Sequence, residues 1–427
     1  MTELGLLPQE WELVRLEDAA DISMGQSPPS STYNSEGKGL PFFQGKADFG
    51  DVYPVTRKWC SAPAKIAEKD DILLSVRAPI GDVNIAEERS CFGRGLTAIR
   101  ANHKAEGKYL FYRLIFSKEL LESKGTGTTF KEINKASVVN FPLPLPPLPE
   151  QKAIARVLST IQKAIETQNK IIAAARELKK SLMHHLFTYG PVPLAEAEKV
   201  PLKETEIGSV PAHWEVVNLD SVKALQKGAI VSGPFGSNIG KRFFMPSGVP
   251  VIRGNNLTKG RLHFIDNGFV YLTEEKASEF SYCEAIPGDV VFTAAGTIGQ
   301  LGIVPQDGHF RKYIISNKQM RIRLNTELTF PDFIFYWFTT PTGQNEIISE
   351  RRGTSIPVIN LSILRNLLMP LPPISIQHEI VLMLSKVDNK IEAEEKRKVS
   401  LQALFKTMLH QLMTGKVRVK DLEVTAT

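Results

Sequence analysis

The chain has 427 residues, 42% hydrophobic and 23% charged, the profile of a soluble globular protein with room for two or three domains. Its net charge of +6 suits a nucleic-acid partner without requiring one. Met1-Thr2-Glu3-Leu4-Gly5 lacks the basic and apolar regions of a secretory signal, no apolar run is long enough to cross a bilayer, and Cys60, Cys91 and Cys283 form neither a CxxC pair nor an even set. A reducing, cytoplasmic setting is expected, with no disulfide framework, no zinc site and no membrane.

In chain order, Trp11 to Leu16 reads as a strand and Gly25 to Gly39 as a polar stretch rich in Ser, Pro and Asn. A loop of Gly, amide and cationic residues follows, Phe43-Gln44-Gly45-Lys46-Ala47-Asp48. Apolar runs at Asp71 to Val76 and Val83 to Ala86 flank Arg77. An aromatic helix is expected from Lys108 to Leu121, then a glycine-threonine loop, Gly125 to Thr129. A strand-like run, Val138 to Leu145, leads to the prolines Pro146, Pro147 and Pro149. Prolines bias their neighbours to extended backbone, and a helix can begin directly after Pro149. Beyond the helix, Tyr189 to Ser209 is expected to be an irregular linker, interrupted by Gly190-Pro191, Pro193, Pro201 and Gly208.

The chain then repeats itself. Trp11-Glu12 returns at Trp214-Glu215, Asp71 at Asp289, Ala98-Ile99-Arg100 at Arg321-Ile322-Arg323, Phe111-Tyr112 at Phe335-Tyr336, and Ile133-Asn134 at Ile359-Asn360. The proline stretch returns at Pro372-Pro373, where Gln377 stands 226 residues after Gln151. From there the offset holds without a gap for about forty residues, so insertions are confined to the globular parts. Divergent modules on identical spacers imply two variable units on one invariant frame.

The spacers carry a four-three apolar ladder, the signature of a helical seam. In the first it is Ile154, Leu158, Ile161, Ile165, Leu182 and Leu186. In the second it is Ile380, Leu384, Val387, Ile391, Leu401, Phe405, Met408 and Leu412. At 1.5 Å per residue each helix is about 60 Å long. Gln168, Lys179, Glu394 and Lys398 interrupt the seam, and polar breaks of this kind fix register at a cost in stability. The tail after Gly415 is short, basic, and expected to be extended against the N-terminal segment.

No catalytic constellation is legible, and neither a cofactor nor a metal is expected. The run Gly236-Ser237-Asn238-Ile239-Gly240-Lys241-Arg242 has the wrong spacing for a P-loop, and GxSxG and HExxH are absent. Ser27-Pro28-Pro29-Ser30 is similar to an amino-methyltransferase loop but lacks the aromatic that would stack on a flipped base. His184-His185 are adjacent on a helix, point apart, and make a poor metal pair.

What remains suits DNA. Arg reads guanine bidentately, Asn and Gln read adenine, and Gly lets the backbone approach phosphates. The candidates are Gln44, Lys46 and Arg77 in the first module, and Arg253, Asn255, Asn256, Lys259 and Arg261 in the second. The glycine-threonine loops add Thr126, Thr128 and Lys131, and Arg352, Thr354 and Ser355. The turn Gly233-Pro234-Phe235-Gly236-Ser237-Asn238 completes the set, with Ser237 as its polar contact.

These features resemble the specificity subunit of Type I restriction–modification systems: two variable modules, two PLPPxxEQ-like stretches and two long helices. The restart from Lys203 to Trp214 is also similar. The second proline stretch departs from the pattern at Ile376 and His378, where Glu and Lys are usual. The resemblance implies an α+β protein with curved mixed sheets and an internal pseudo-twofold repeat. Target-recognition domains would occupy residues 1–148 and 209–373. They would be joined by antiparallel coiled-coil helices at 149–188 and 374–414, with a linker at 189–208 and a tail at 415–427. Each domain would read half of an asymmetric bipartite double-stranded DNA site, and the coil would measure the unread spacer. Two modification subunits would bring adenine N6-methyltransferase activity, and two restriction subunits ATP-driven cleavage; this chain would catalyse neither. The competing readings are a degenerate methyltransferase or nuclease component and a protein-binding coiled-coil scaffold.

Overall fold

The computed structural model describes residues 7–127, 131–260, 263–349 and 358–419, with the side chain of Ser237 left out. These residues form two compact units, one of 1–170 with 395–427 and one of 171–394. The long helices run Leu148–Tyr189 and Ile374–Met413, and each gives one half to each unit. Pro149 lies inside the first turn rather than before it, where its missing N–H has no intrahelical acceptor to lose.

The first unit has a four-stranded antiparallel sheet in the order Ala20–Met24, Leu96–Ala101, Ile72–Ser75, Val83–Ile85. A five-stranded sheet joins Tyr33–Asn34, Trp59–Cys60, Leu40–Phe43, Ser90–Phe92 and Ile66–Ala67, and is mixed, because Phe42 and Phe43 run parallel to Cys91 and Phe92. The second unit repeats both. Its antiparallel sheet is Ile230–Ser232, Gln319–Ile322, Val290–Thr293, Leu301–Ile303. Its mixed sheet is Val270–Leu272, Val249–Ile252, Tyr313–Ile315, Glu284–Ala285, parallel at Val251 and Ile314. Glu12–Arg15 pairs with the proline-bearing Pro142–Leu145, as Glu215–Asn218 pairs with Leu368–Leu371. A two-stranded ribbon has open edges for residues that cannot donate.

The repeat extends to buried charge. Asp71 takes Arg100 Nε at 2.7 Å and Nη2 at 2.8 Å, and Asp289 takes the same two atoms of Arg323 at 2.8 Å each. Each aspartate also caps its own loop, accepting from the backbone of Glu68 or Ile286.

Each expected aromatic helix divides in two: Gly107–Phe116 and Lys118–Ser123, then Pro331–Thr339 and Pro341–Ser349. In the second module Pro341 holds Thr340 extended and forces the break. The first member of each pair seats a tyrosine between the long helices. Tyr112 touches Ser159 on one and Phe405 on the other; Tyr336 touches Asp388 and Lys179. Within each unit, therefore, the start of one long helix lies beside the end of the other, antiparallel.

The seam is buried as its periodicity predicts. Ile154, Leu158 and Leu412 lie in the core of the first unit, with Phe405 and Met408 against it. Leu186, Ile380 and Leu384 lie in the core of the second, with Leu182 against it. Ile165 is buried; Ile161, Val387, Ile391 and Leu401 are half-buried. Among the polar breaks, Gln168 and Glu394 are buried, and Lys179 pairs with Asp388 at 2.7 Å.

One expectation about the connections changes. The linker is not irregular: it contains a short 3-10 helix, Leu194–Lys199, and a hairpin, Leu202–Thr205 with Gly208–Pro211. Its prolines flank these elements instead of interrupting them. The tail does dock on the N-terminal segment through residue 419. Arg418 clamps Glu150 at 2.5 and 2.7 Å and Glu10 at 2.7 Å, and Val419 enters the core.

Candidate nucleic-acid interface

In the second unit four loops converge on a cleft of about 650 Å³. Parallel pairing of Val249–Ile252 with Tyr313–Ile315 puts the ends of both strands side by side, so residues 253–255 and 316–318 meet there. Residues 239–244 and 293–300 close the other sides. Lys241, Arg253 and Lys318 line it with Asn255, Gln300, Asn317 and Gln319, and among the described residues no carboxylate lines it. The Arg253 guanidinium lies 5.9 Å from the Phe244 ring centroid. Three cations and four amides have the chemistry to contact phosphate and base edges.

Arg253 and Asn255 thus lie where the sequence reading places them, on one wall of the cleft. Asn256 does not. It is 0% exposed, its Oδ1 accepts from Arg253 N at 2.9 Å, and its Nδ2 donates to Ile265 O and Asn267 O at 2.9 Å each. The Asn256 amide is occupied in shaping the loop that presents Arg253 and cannot reach a base. Lys259 is exposed but is not a lining residue. Ser237 falls in a short 3-10 helix, Gly236–Ile239, beside the cleft. Arg261, Arg352, Thr354 and Ser355 lie outside the described residues, as does Thr128 of the first module.

The first unit builds the same loops from different residues. Gly93 N donates to Phe43 O as Ser316 N does to Ile252 O, and Val76 N donates to Gly95 O as Ala294 N does to Lys318 O. Gln44, Ser27 and Arg94 therefore gather at the equivalent place: Gln44 Nε2 is 3.0 Å from Ser27 Oγ, which accepts from Arg94 N at 3.2 Å. Two of the cations here are paired. Lys46 reaches Asp82 at 2.7 Å and Arg77 reaches Glu132 at 3.2 Å. The Arg77–Glu132 pair is exposed and worth under about 1 kcal/mol, so its exchange for phosphate is inexpensive, whereas the Asp82 carboxylate is largely buried. Thr126 and Glu132 form a bridge beside Arg77, which sets Thr126 and the exposed Lys131 along one edge.

Asp82 also takes Lys118 at 2.8 Å. Burial works to raise its carboxyl, but Lys118 and Lys46 outweigh that and hold it below the ordinary carboxylate range. The turns at Ile80-Gly81 and Ile298-Gly299 match, with both glycines at φ near +90°, which L side chains rarely adopt. Sequence reasoning missed Arg94, Lys241, Lys318, Asn317 and Gln300. A signal existed for three of them: Gly93-Arg94-Gly95 and Asn317-Lys318 are short polar turns between apolar strands.

Comparison with known proteins is consistent along the whole length. The family model for the Type I restriction modification DNA specificity domain matches residues 8–176 and 211–403. The MjaX type I restriction enzyme specificity subunit of Methanocaldococcus jannaschii is 46% identical over 190 residues, 44% of this chain; the match spans 45% of that relative's length. The MjaVIII specificity subunit of the same organism is 27% identical over 97% of this chain and 95% of its own. The EcoBI specificity subunit of Escherichia coli is 21% identical over 87% of this chain and 78% of its own. The fold is similar to that of the S subunit of the M. genitalium Type I system, with a TM-score of 0.61 at 16% identity over 96% of this chain and 98% of that one. No helix among the described residues is long and apolar enough to cross a membrane.

Proposed function

This chain belongs to the Type I restriction modification DNA specificity family, and on that premise we propose that its two modules each read one half of a bipartite double-stranded DNA target. The observation that carries the reading is the cationic cleft of the second unit, whose Lys241, Arg253, Lys318 and amides converge from four loops. The corresponding loops of the first unit present Gln44, Arg94, Lys46 and Arg77. The two sets differ in composition, so the two half-sites differ in sequence.

The long helices set the unread spacer. Their gap-free offset is what a fixed length requires, because a two-residue insertion would rotate all that follows by about 200°. Leu178, Leu382, Val399 and Leu404 remain exposed along them, and these outer faces dock two modification subunits that carry the adenine N6-methyltransferase activity. Two restriction subunits complete the complex with ATP-dependent cleavage. The chain itself supplies recognition, not chemistry.

The test is adenine-methylation sequencing of a genomic library from cells co-expressing this chain with its modification subunit. A single bipartite motif with a fixed gap, absent when either component is missing, is the expected result. Absence of any motif with both components present would leave a protein-binding scaffold as the reading. A four-residue insertion after Ala173 should change the gap while leaving both half-sites unaltered.

A further inference from the structure

Phe235 is 86% exposed, on a turn whose neighbours hold it there. Pro234 restricts the backbone before it. A side chain at Gly233 would place Cβ 2.0 Å from Ser316 O, so the turn lies flat against the loop that lines the cleft. Gly236 follows at φ +59°, and its carbonyl accepts from Asn317 Nδ2 at 3.2 Å. Asn317 is itself a cleft residue, as are Ile239, Gly240 and Lys241 just beyond the turn. A large apolar side chain is thus held in water at the rim of a cationic cleft, by a turn fixed at both ends.

Exposing a phenylalanine forgoes the gain of burying its ring, and a fixed turn cannot recover it by collapse. The charge beside it identifies the occupant. Lys241, Arg253 and Lys318 attract a polyanion, and a ring on such a rim meets base pairs. The first module has Gln26 and Ser27 where its strand leaves the sheet at Gly25, and no aromatic there. We propose that Phe235 is an aromatic wedge of the second module, stacking on a base step at or beside the second half-site and unstacking it. This rests on the reading of the module as a DNA reader, and adds deformability of the step to the features it selects.

The experiment uses the full chain assembled with its modification subunits, and a duplex carrying the site found by methylation sequencing. 2-Aminopurine replaces each purine of the second half-site and its flanks in turn. The expected result is a fluorescence rise at one step on binding, lost in Phe235→Ala and kept in Phe235→Trp. Phe235→Ala should also weaken binding by roughly 10- to 100-fold. The slope of log affinity against log salt should stay unchanged, since no phosphate contact is removed, whereas Lys241→Gln should reduce it by about one. Wild-type affinity and signal in Phe235→Ala would overturn the wedge while leaving DNA reading intact. Loss of assembly with the modification subunits, at unchanged DNA affinity of whatever complex forms, would overturn it in favour of a protein contact. Failure of the wild-type complex to bind the duplex would instead defeat the underlying reading.

Discussion

Gln151 and Gln377, 226 residues apart, make the same bonds in their two modules. Gln151 Nε2 donates to Lys104 O at 3.0 Å and Pro146 O at 2.8 Å, and its Oε1 accepts from Glu106 N at 2.8 Å. Gln377 Nε2 donates to Leu328 O and Pro372 O at 2.9 Å each, and its Oε1 accepts from Thr329 Oγ1 at 2.9 Å. Both are buried, and both tie the first turn of a long helix to the loop before an aromatic helix. This explains why Gln377 persists where Ile376 and His378 depart from the first copy. Gln377→Ala would orphan two carbonyls and a hydroxyl, at about 1–3 kcal/mol per buried group. Hydrogen exchange should show the second module destabilised by about 3 kcal/mol with the first untouched, and Gln151→Ala should reverse the pattern, exposing the Glu106 amide. Equal protection in the variant and the parent would refute the tie.

The ion pair Lys179–Asp388 stands inside the helical seam of the second unit, with the Lys179 side chain 12% exposed. Tyr336 OH donates to Asp388 at 2.8 Å. Removing one partner leaves the other charge uncompensated, at about 3–5 kcal/mol, whereas removing both charges costs much less. Lys179→Met should lower the unfolding free energy of this unit by about 3 kcal/mol. Adding Asp388→Asn, which keeps an acceptor for Tyr336, should restore most of it. Additive losses in the double variant would show that the pair contributes no coupling.

Arg253 is presented by a loop that Asn256 holds from within. Arg253→Ala should cost about 1–3 kcal/mol of discrimination at one position of the second half-site. Arg253→Lys should not rescue it, because an ammonium lacks the planar fork. Arg77→Ala should act on the first half-site alone. Binding to duplexes varied base by base measures both, and equal loss at both half-sites from either variant would contradict separate reading.

Asp82 links Lys46 and Lys118, and its carboxyl titrates below the ordinary range. A depressed folded value means that the stabilisation is fully present above the unfolded value, about 3.9, and is lost as pH falls through the folded one. Urea midpoints for the first unit should therefore drop with acid below about pH 4, and less steeply in Asp82→Asn. Parallel acid profiles would remove Asp82 from the account.

The helical frame was legible because its signal is periodic and local. A seam at four-three spacing and a gap-free offset need no tertiary information, and Ile154, Leu158, Ile380, Leu384 and Leu412 are buried accordingly. The loops were less legible. Asn255 and Asn256 are adjacent and chemically identical, yet one lines the cleft and the other lies wholly inside. The difference depends on residues 265–268, whose carbonyls receive both amides, and nothing local announces that. The hairpin at 202–211 was hidden by its flanking prolines, which mark turns as readily as they break strands.

By itself the sequence determined that the chain is a duplicated pair of modules on two matched helices, because repetition and heptad spacing are properties of order along the chain. Only the tertiary structure decided which side chains line the cleft. Arg253 and Lys318 lie 65 residues apart in sequence and meet because the strands that precede their loops are paired in parallel. A parallel pairing needs a long crossover, so the two walls of the cleft come from distant segments that no short-range pattern connects.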